Sequence, residues 1–116
     1  MQRTMLKSKL HRVVLTACNL DYEGSIAIDS NLLHAADILP GEQVQVLNLN
    51  NGNRLITYAI EAAAGSGTIM LNGPAARAGL PGDILVIITY CQLEDRELPE
   101  QKVRIIKVDC ENRIKE

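Results

Sequence analysis

Residues 34–42 read HAADILPGE, and residues 75–83 repeat the pattern as AARAGLPGD. Each copy contains a run suited to a short helix, then a Leu-Pro-Gly-acid turn, and an apolar segment typical of a strand follows directly. Because helix, turn and strand recur in the same order, the pattern indicates two similar halves packed about a pseudo-twofold axis. The alternative is a chance match, since Pro-Gly-acid turns are common.

Short apolar runs rich in β-branched residues recur outward from this repeat, and turn sequences separate most of them. The clearest pair flanks Asn51-Gly52, which is typical of a hairpin turn. Two short helices are expected, one over 31–36 with Ser30 as its N-cap and one over 74–78. With the doubled unit, these short strands predict an all-β fold that resembles a small double-psi β-barrel. The predicted strands are Thr4–Leu10, Arg12–Ala17, Ser25–Ile28, Gln43–Leu49, Arg54–Ala62, Thr68–Leu71, Asp83–Cys91 and Lys102–Val108.

Length and charge narrow the class of protein. The chain has 116 residues, which fits a single domain over 1–116, and its formal net charge is −2. This charge argues against sequence-independent nucleic-acid binding, which depends on Lys and Arg. The first dozen residues are locally basic, which fits either a solvated strand face or an anion-binding cluster.

The cysteines and the apolar runs indicate a compartment. Cys18, Cys91 and Cys110 are widely spaced, form no Cys-x-x-C pair and come with only two histidines. We therefore expect neither a disulfide framework nor a structural zinc site, and a reducing cytoplasmic location. The longest apolar run, 84–90, is too short to span a bilayer, and we expect no signal peptide and no membrane partner.

Residues 20–29 read LDYEGSIAID, in which Gly24-Ser25 alone would be a turn entering a strand. The whole segment, however, resembles the processing site of the pyruvoyl-dependent aspartate 1-decarboxylase family. Three further motifs match that family in order and spacing: RTMLKSKLHR at 3–12, NGNRLITYAI at 51–60 and NGPAA at 72–76. The resemblance covers nearly the whole chain, from Arg3 to about Tyr90, and the chain is identified as a member of this family.

The resemblance implies a proenzyme that cuts itself between Gly24 and Ser25 into fragments 1–24 and 25–116. Ser25 Oγ would attack the Gly24 carbonyl carbon, and Gly24, which lacks Cβ, should tolerate strained backbone there. Elimination and hydrolysis would leave a pyruvoyl group that forms a Schiff base with L-aspartate and accepts the electrons released with CO2. The product, β-alanine, would supply pantothenate and coenzyme A synthesis. The family needs no metal or exogenous cofactor.

The family's functional residues map onto this chain one by one. Thr57 is associated with self-cleavage, and Tyr58 is the proton donor to the carbanion. Arg54 should clamp a substrate carboxylate, with Lys9 as the second cation; without the resemblance, both would be exposed barrel cations. Arg54 and Tyr58 share one face of a regular strand while Thr57 points to the other. If Thr57 and Tyr58 serve one site, the strand is irregular or a neighbouring subunit contributes, and the resemblance implies a homotetramer with sites between subunits.

The NGPAA motif and His11 complete the candidate site. Backbone N–H groups at the start of the second helix could bind a substrate carboxylate, and the alternative is an ordinary turn. His11 matches a family histidine, and is equally well explained as a strand histidine bonded to a neighbour. Pro74 and Arg77 depart from the family pattern, which bears on substrate affinity more than on self-cleavage. The substrate-binding residues expected from this motif are Asn72, Gly73, Ala75 and Ala76.

Two other functions stay open at this point. An uncleaved barrel could act as a regulatory or DNA-binding module, which the basic N-terminal stretch favours and the net charge opposes. A pyruvoyl enzyme could also act on another small amino acid. Some family members need a helper protein to mature, so a helper is a further expected partner.

Overall fold

Within residues 1–115, which the computed structural model describes, the chain forms eight strands, one α-helix and two 3₁₀ helices. Apolar side chains alternate with polar ones along several strands; Val44 and Val46, for example, are buried while Gln43 is exposed. In chain order the elements are β1 (Gln2–Val14), β2 (Ala17–Asn19), β3 (Ser25–Asp29), α1 (Ser30–Ala36), β4 (Gln43–Asn48), β5 (Arg54–Ala62), β6 (Ile69–Asn72), the 3₁₀ helix Gly73–Ala78, β7 (Ile84–Glu94), the 3₁₀ helix Asp95–Glu100 and β8 (Arg104–Lys107).

The strands pair in the order β2-β6-β3-β5-β4-β7-β1-β8. β4 and β5 form the antiparallel hairpin predicted from the Asn-Gly turn, with Val46 opposite Leu55. β3 lies between β5, to which it is parallel, and β6, to which it is antiparallel. The result is a small all-β, barrel-like fold, which confirms the predicted fold class.

Aliphatic side chains fill the interior, because the sequence has no Phe or Trp. Leu10, Ile26, Leu71 and Ile87 are inaccessible to solvent, and each such side chain contributes about 1.5–3 kcal/mol relative to an exposed one. All five residues of β3 are buried. Ser25, the first of them, therefore enters the core with its strand.

The doubled unit predicted from the sequence is present as two strand–helix–turn–strand segments. The first comprises β3, α1, a turn and β4, and the second β6, the 3₁₀ helix 73–78, a turn and β7. In both turns the glycine N–H donates to a distant backbone carbonyl at 2.7 Å, and the acidic side chain accepts the N–H three residues before it. These contacts are Gly41–Ala59 and Glu42–Leu39 in the first turn, and Gly82–Leu15 and Asp83–Leu80 in the second.

Asp83 also ties the second turn to β4. Its Oδ2 accepts hydrogen bonds from Asn48 Nδ2 and from the backbone N–H of Leu80, both at 2.9 Å. These bonds, the one from Asn48 foremost, favour the ionised carboxylate and lower the pKa of Asp83.

The predicted strands Thr4–Leu10 and Arg12–Ala17 are a single bent strand up to residue 14, namely β1. Its register with β7 shifts between Leu6 and Ser8 and again between Leu10 and Val13, and Arg12 has a φ of 61°. Such bulges bend a strand without ending it. The break predicted at position 11 therefore lies at the second bulge.

The sequence predicted Ser30 as the N-cap of α1, but in the structure the N-cap is Asp29. The Asp29 carboxylate accepts the N–H of Asn31 at 2.8 Å, of Gly65 at 3.0 Å and of Gly67 at 2.9 Å. A carboxylate has the acceptor capacity to serve three donors, which a serine hydroxyl lacks. Asp29 therefore begins the helix and also holds the loop before β6.

The chain after Tyr90 completes the sheet. β7 continues to Glu94, three residues beyond the predicted strand end, and β8 pairs in parallel with β1. Asn112 is buried and joins the tail to the barrel: its Oδ1 accepts the N–H of Val14 at 2.7 Å, and its Nδ2 donates to Val14 O and Gly67 O, both at 2.8 Å. Over residues 1–115, no helix has the length and apolar character needed to cross a membrane.

Candidate active site

The Gly24-Ser25 peptide lies where a surface turn enters the core. Ser25 is only 1% exposed and has a φ of 118°. Residues other than glycine rarely adopt a positive φ of this size, and those that do cluster at functional sites. Ser25 is therefore a strained, buried hydroxyl next to the carbonyl carbon that the sequence predicts it to attack.

Asn72 is the cross-strand neighbour of Ser25, because β3 and β6 pair these two residues. Its Nδ2 lies 3.2 Å from Ser25 Oγ and donates a hydrogen bond to it. Asn72 is fully buried, and its Oδ1 has no hydrogen-bond partner among residues 1–115. Asn72 was expected to act through its backbone, whereas in the structure its side chain contacts Ser25.

Gly73 packs directly against the turn that carries the scissile bond. A Cβ at this position would lie 2.8 Å from Tyr22 O, 2.9 Å from Gly24 N and 3.0 Å from Gly24 Cα. The φ of Gly73 is 62°, which also favours glycine. Gly73 thus allows residues 22–24 to approach the start of the 3₁₀ helix.

Gly24 was expected to ease strained backbone and close approach by lacking a Cβ, but the structure shows neither at Gly24 itself. A Cβ at Gly24 would find no atom within 4 Å, and its φ lies outside the left-handed region. The positive φ and the tight contact belong instead to its neighbours, Ser25 and Gly73. The strain in this segment therefore lies on the nucleophile side of the scissile bond.

Thr57 and Tyr58 both reach the cleavage segment from one strand. Tyr58 Oη donates to Gly24 O at 3.4 Å, and Thr57 lines an open cleft together with Gly24 and Ser25. For both residues to reach the cleavage segment, neither an irregular strand nor a second subunit is needed, because the start of β3 lies beside β5, with Ile26 opposite Ala59. The segment before Ile26 therefore runs along the edge of β5, within reach of both of its faces.

The open cleft has a volume of about 360 Å³. Ala75 lines it, whereas Ala76 is buried in the core and does not. Leu55 was not among the predicted site residues, although strand periodicity could have indicated it, because Leu55 shares a strand face with Thr57. Nothing local to the sequence marks Ala78. The lining residues are Gly24, Ser25, Leu55, Ile56, Thr57, Pro74, Ala75 and Ala78.

The predicted cations lie outside this cleft. Arg54 is exposed, and its Nη1 donates to Gln45 Oε1 at 3.2 Å. Lys9 lies on β1 and pairs with Ile88 of β7. In the sheet order, the strands β7, β4 and β5 separate β1 from β3. His11 is half-buried further along β1. Between residues 1 and 115 no hydrogen bond joins Lys9 or His11 to the residues of the cleft.

The described residues offer little for metal chemistry. From Met1 to Lys115, no three His, Cys, Asp or Glu side chains converge on a common point. Cys18, half-buried beside the second turn, donates to Gly79 O at 3.4 Å. Burial, and secondarily the Asp83 carboxylate, raise its pKa and so disfavour the thiolate.

Comparison with known proteins agrees with the family resemblance of the motifs. The family model described as aspartate decarboxylase matches residues 1–115. The aspartate 1-decarboxylase of Thermoanaerobacter pseudethanolicus is 56% identical over 113 residues, which cover 97% of both chains. That of Methylobacillus flagellatus is 56% identical over 115 residues (99% of this chain, 91% of the relative), and that of Moorella thermoacetica 56% over 114 (98% and 89%). The chain belongs to the aspartate decarboxylase family.

Proposed function

We propose that the chain converts L-aspartate to β-alanine and CO2, using a pyruvoyl group made from its own Ser25. Family membership supports the reaction and the substrate, and hence a role in supplying β-alanine for pantothenate and coenzyme A. The observation that carries the proposal is the buried Ser25 at a φ of 118°, with Asn72 on its hydroxyl and Tyr58 on the adjoining carbonyl. This arrangement suits an attack by a side chain on its own backbone.

Self-cleavage of residues 1–116 begins with an acyl shift. The bond from Ser25 Oγ to the Gly24 carbonyl carbon forms, the bond from that carbon to Ser25 N breaks, and the hydroxyl proton ends on the nitrogen. Negative charge develops on Gly24 O in the tetrahedral intermediate. Tyr58 Oη already donates to this atom, at 3.4 Å, and a tighter bond there would stabilise the oxyanion.

The ester then breaks by elimination. The Ser25 Cα proton leaves, the Cβ–Oγ bond breaks and Gly24 departs as a carboxylate, which leaves a dehydroalanine at position 25. After tautomerisation, water replaces the nitrogen, which is lost as ammonia, and a ketone remains. Strain at Ser25, of order 1–3 kcal/mol for a residue with such a φ, favours leaving the precursor state.

The surroundings of residue 25 fit a pyruvoyl group. The cleft beside residue 25 is lined mainly by apolar residues, and Asn72, which contacts the Ser25 hydroxyl, has an acceptor in Oδ1 that no other group among residues 1–115 uses. When present, this group supplies the electron sink for loss of CO2. The chain's own residues would then orient the substrate and deliver a proton.

Tyr58 is the proposed proton donor, because its hydroxyl contacts Gly24 O beside residue 25 and its side chain is 42% exposed. Thr57 would assist self-cleavage, and the backbone N–H groups of Gly73, Ala75 and Ala76 would contact a substrate carboxylate, since Pro74 has none to donate. Lys9, Arg54 and His11 lie away from the cleft of their own subunit, and we propose that a neighbouring subunit of a homotetramer supplies them.

The DNA-binding alternative loses part of its basis in the structure. Two of the cations in the basic N-terminal stretch are in ion pairs, Arg3 with Asp95 and Lys7 with Glu42, both at 2.6 Å. Lys7 Nζ also donates to Asp37 O at 2.6 Å. Paired cations release fewer counterions from DNA, so the stretch offers little phosphate binding.

Intact mass spectrometry of the purified protein tests the proposal. We expect a 1–24 fragment and a 25–116 fragment blocked by pyruvoyl, together with CO2 release from L-aspartate. Ser25→Ala should remove both. Full-length wild-type protein after long incubation, also in a cell extract that would supply a maturation helper, would contradict the proposal, and CO2 release from a different amino acid would change the substrate.

A further inference from the structure

The Oδ1 atom of Asn72 is the one buried side-chain oxygen or nitrogen without a hydrogen-bond partner within residues 1–115. Native proteins pair nearly all such atoms, because an unpaired buried acceptor loses its hydration without compensation. Asn72 is fully buried. A donor that appears beside this acceptor only after self-cleavage would satisfy it.

Two other buried asparagines show how such side chains are normally held. Asn48 Oδ1 accepts the N–H groups of residues 50 and 51, and its Nδ2 donates to Ala78 O and Asp83 Oδ2. Asn112 pairs both of its amide atoms with the backbone. Only Asn72 uses one amide atom, Nδ2, and that atom contacts Ser25 Oγ at 3.2 Å.

We infer that Asn72 Oδ1 is the acceptor for the nitrogen of residue 25 once self-cleavage has released that nitrogen as an amine. The inference rests on the proposed function. Asn72 would then be a positioning residue for the acyl shift, in addition to any contact that its backbone makes with substrate.

The chemistry of the shift supplies the missing donor at this place. In the precursor, Ser25 N carries one hydrogen that is fixed in the peptide plane. When the bond to the Gly24 carbon breaks and the hydroxyl proton moves to the nitrogen, the nitrogen gains a second hydrogen and is free to turn about the N–Cα bond. This nitrogen lies on the same residue as Oγ, which Asn72 already contacts, so its hydrogens come within reach of Oδ1.

The unpaired oxygen would thus favour the ester over the amide. The precursor contains an unsatisfied acceptor and the ester does not, so the balance between them shifts toward the ester. An unsatisfied buried acceptor is worth roughly a tenfold change in an equilibrium constant. We therefore expect the ester population, and the cleavage rate that follows from it, to fall about tenfold when the acceptor is removed.

Hydroxylamine distinguishes the ester from the amide, because it cleaves the ester rapidly and leaves a hydroxamate on Gly24. Freshly purified precursor would be incubated, treated with hydroxylamine or buffer, and analysed by intact mass. Asn72→Leu removes both amide atoms at similar volume, whereas Asn72→Asp keeps an acceptor and removes the donor. Asn112→Leu, which removes a fully paired buried amide away from residue 25, controls for general destabilisation.

We expect the hydroxylamine-sensitive fraction to fall about tenfold in Asn72→Leu and to fall less in Asn72→Asp and Asn112→Leu. If Asn72→Leu does not fold, as judged by circular dichroism, Asn72→Ala replaces it. An unchanged fraction in Asn72→Leu would overturn the inference, as would equal losses in the Leu and Asp variants or in the Asn112 control. Each of those results leaves the proposed function intact if wild-type protein still cleaves, whereas a wild type that never cleaves refutes the proposed function itself.

Discussion

Gly73→Ala should separate the folding of the barrel from its self-cleavage. The added Cβ would meet three backbone atoms of the cleavage turn, the nearest being Tyr22 O at 2.8 Å. Ordinary contact begins near 3.4 Å, so the turn has to retreat by roughly 0.6 Å because backbone cannot rotate out of the way as a side chain can. Alanine at a φ of 62° adds a penalty of about 1–2 kcal/mol.

The displacement acts on the distance between Ser25 Oγ and the Gly24 carbonyl carbon. A misplacement of about 1 Å in a reacting pair can cost about 100-fold in rate, so a shift of roughly half that size predicts a loss of about tenfold. The assay is the time course of the 1–24 and 25–116 fragments by intact mass spectrometry, with urea denaturation to measure stability.

Gly52→Ala is the matched control. Gly52 has a φ of 77°, and a Cβ there would meet no atom within 4 Å. Both variants should lose stability through backbone strain, Gly73→Ala more because its Cβ also meets backbone atoms, and only Gly73→Ala should cleave slowly. Wild-type cleavage in Gly73→Ala, or equal slowing in both variants, would refute the reasoning.

Three further variants test other contacts. Tyr58→Phe should slow self-cleavage only a few-fold, because the Tyr58 hydroxyl is as far as 3.4 Å from Gly24 O. If Tyr58 is the proton donor, the same change should lower CO2 release from the cleaved protein by about 100-fold or more. Time courses of fragments and of CO2 measure the two effects, and equal losses would argue against that role. Asp29→Ala should lower the free energy of unfolding by about 2–4 kcal/mol in urea titrations, since three backbone N–H groups lose their acceptor. A loss below about 1 kcal/mol would contradict the capping role. The pKa of Asp83 is lowered from 3.8 in the fold, so its carboxylate should stabilise the fold above that pH and lose this contribution as pH falls through the folded-state pKa. Asp83→Asn should therefore differ from wild type in its urea midpoint at about pH 6, and much less at about pH 3. A difference that grows in acid would contradict this prediction.

Periodicity and turn chemistry are local properties, which is why they predicted so much of this fold. The Asn-Gly hairpin, the doubled turn and most strand positions follow from residues close in sequence. The N-cap of α1 did not, because Asp29 is selected by two donors in the loop before β6 as well as by the helix. The bend in β1 was not predicted for the same reason, since its bulges are set by pairing with β7, a strand far along the chain.

The candidate site divides along the same line. The motif around Gly24-Ser25 and the strand carrying Thr57 and Tyr58 were recognisable, and the parallel pairing of β3 with β5 explains how both residues meet the cleavage segment. The side chain of Asn72 was not recognisable, because its importance depends on cross-strand pairing with Ser25. Lys9 and Arg54 stay predictions, since one subunit does not bring them to the cleft.

The position of β1 between β7 and β8 has a consequence for the mature molecule. Breaking the bond after Gly24 would not let the first fragment drift away, because β1 is hydrogen-bonded on both edges and carries the core residues Leu10 and Val13. What was a single polymer would become a tightly held pair of polymers, and reassembly after denaturation would depend on the concentration of both pieces. Denaturation of the processed form should then be hard to reverse on dilution, so that its lifetime depends on how slowly it opens.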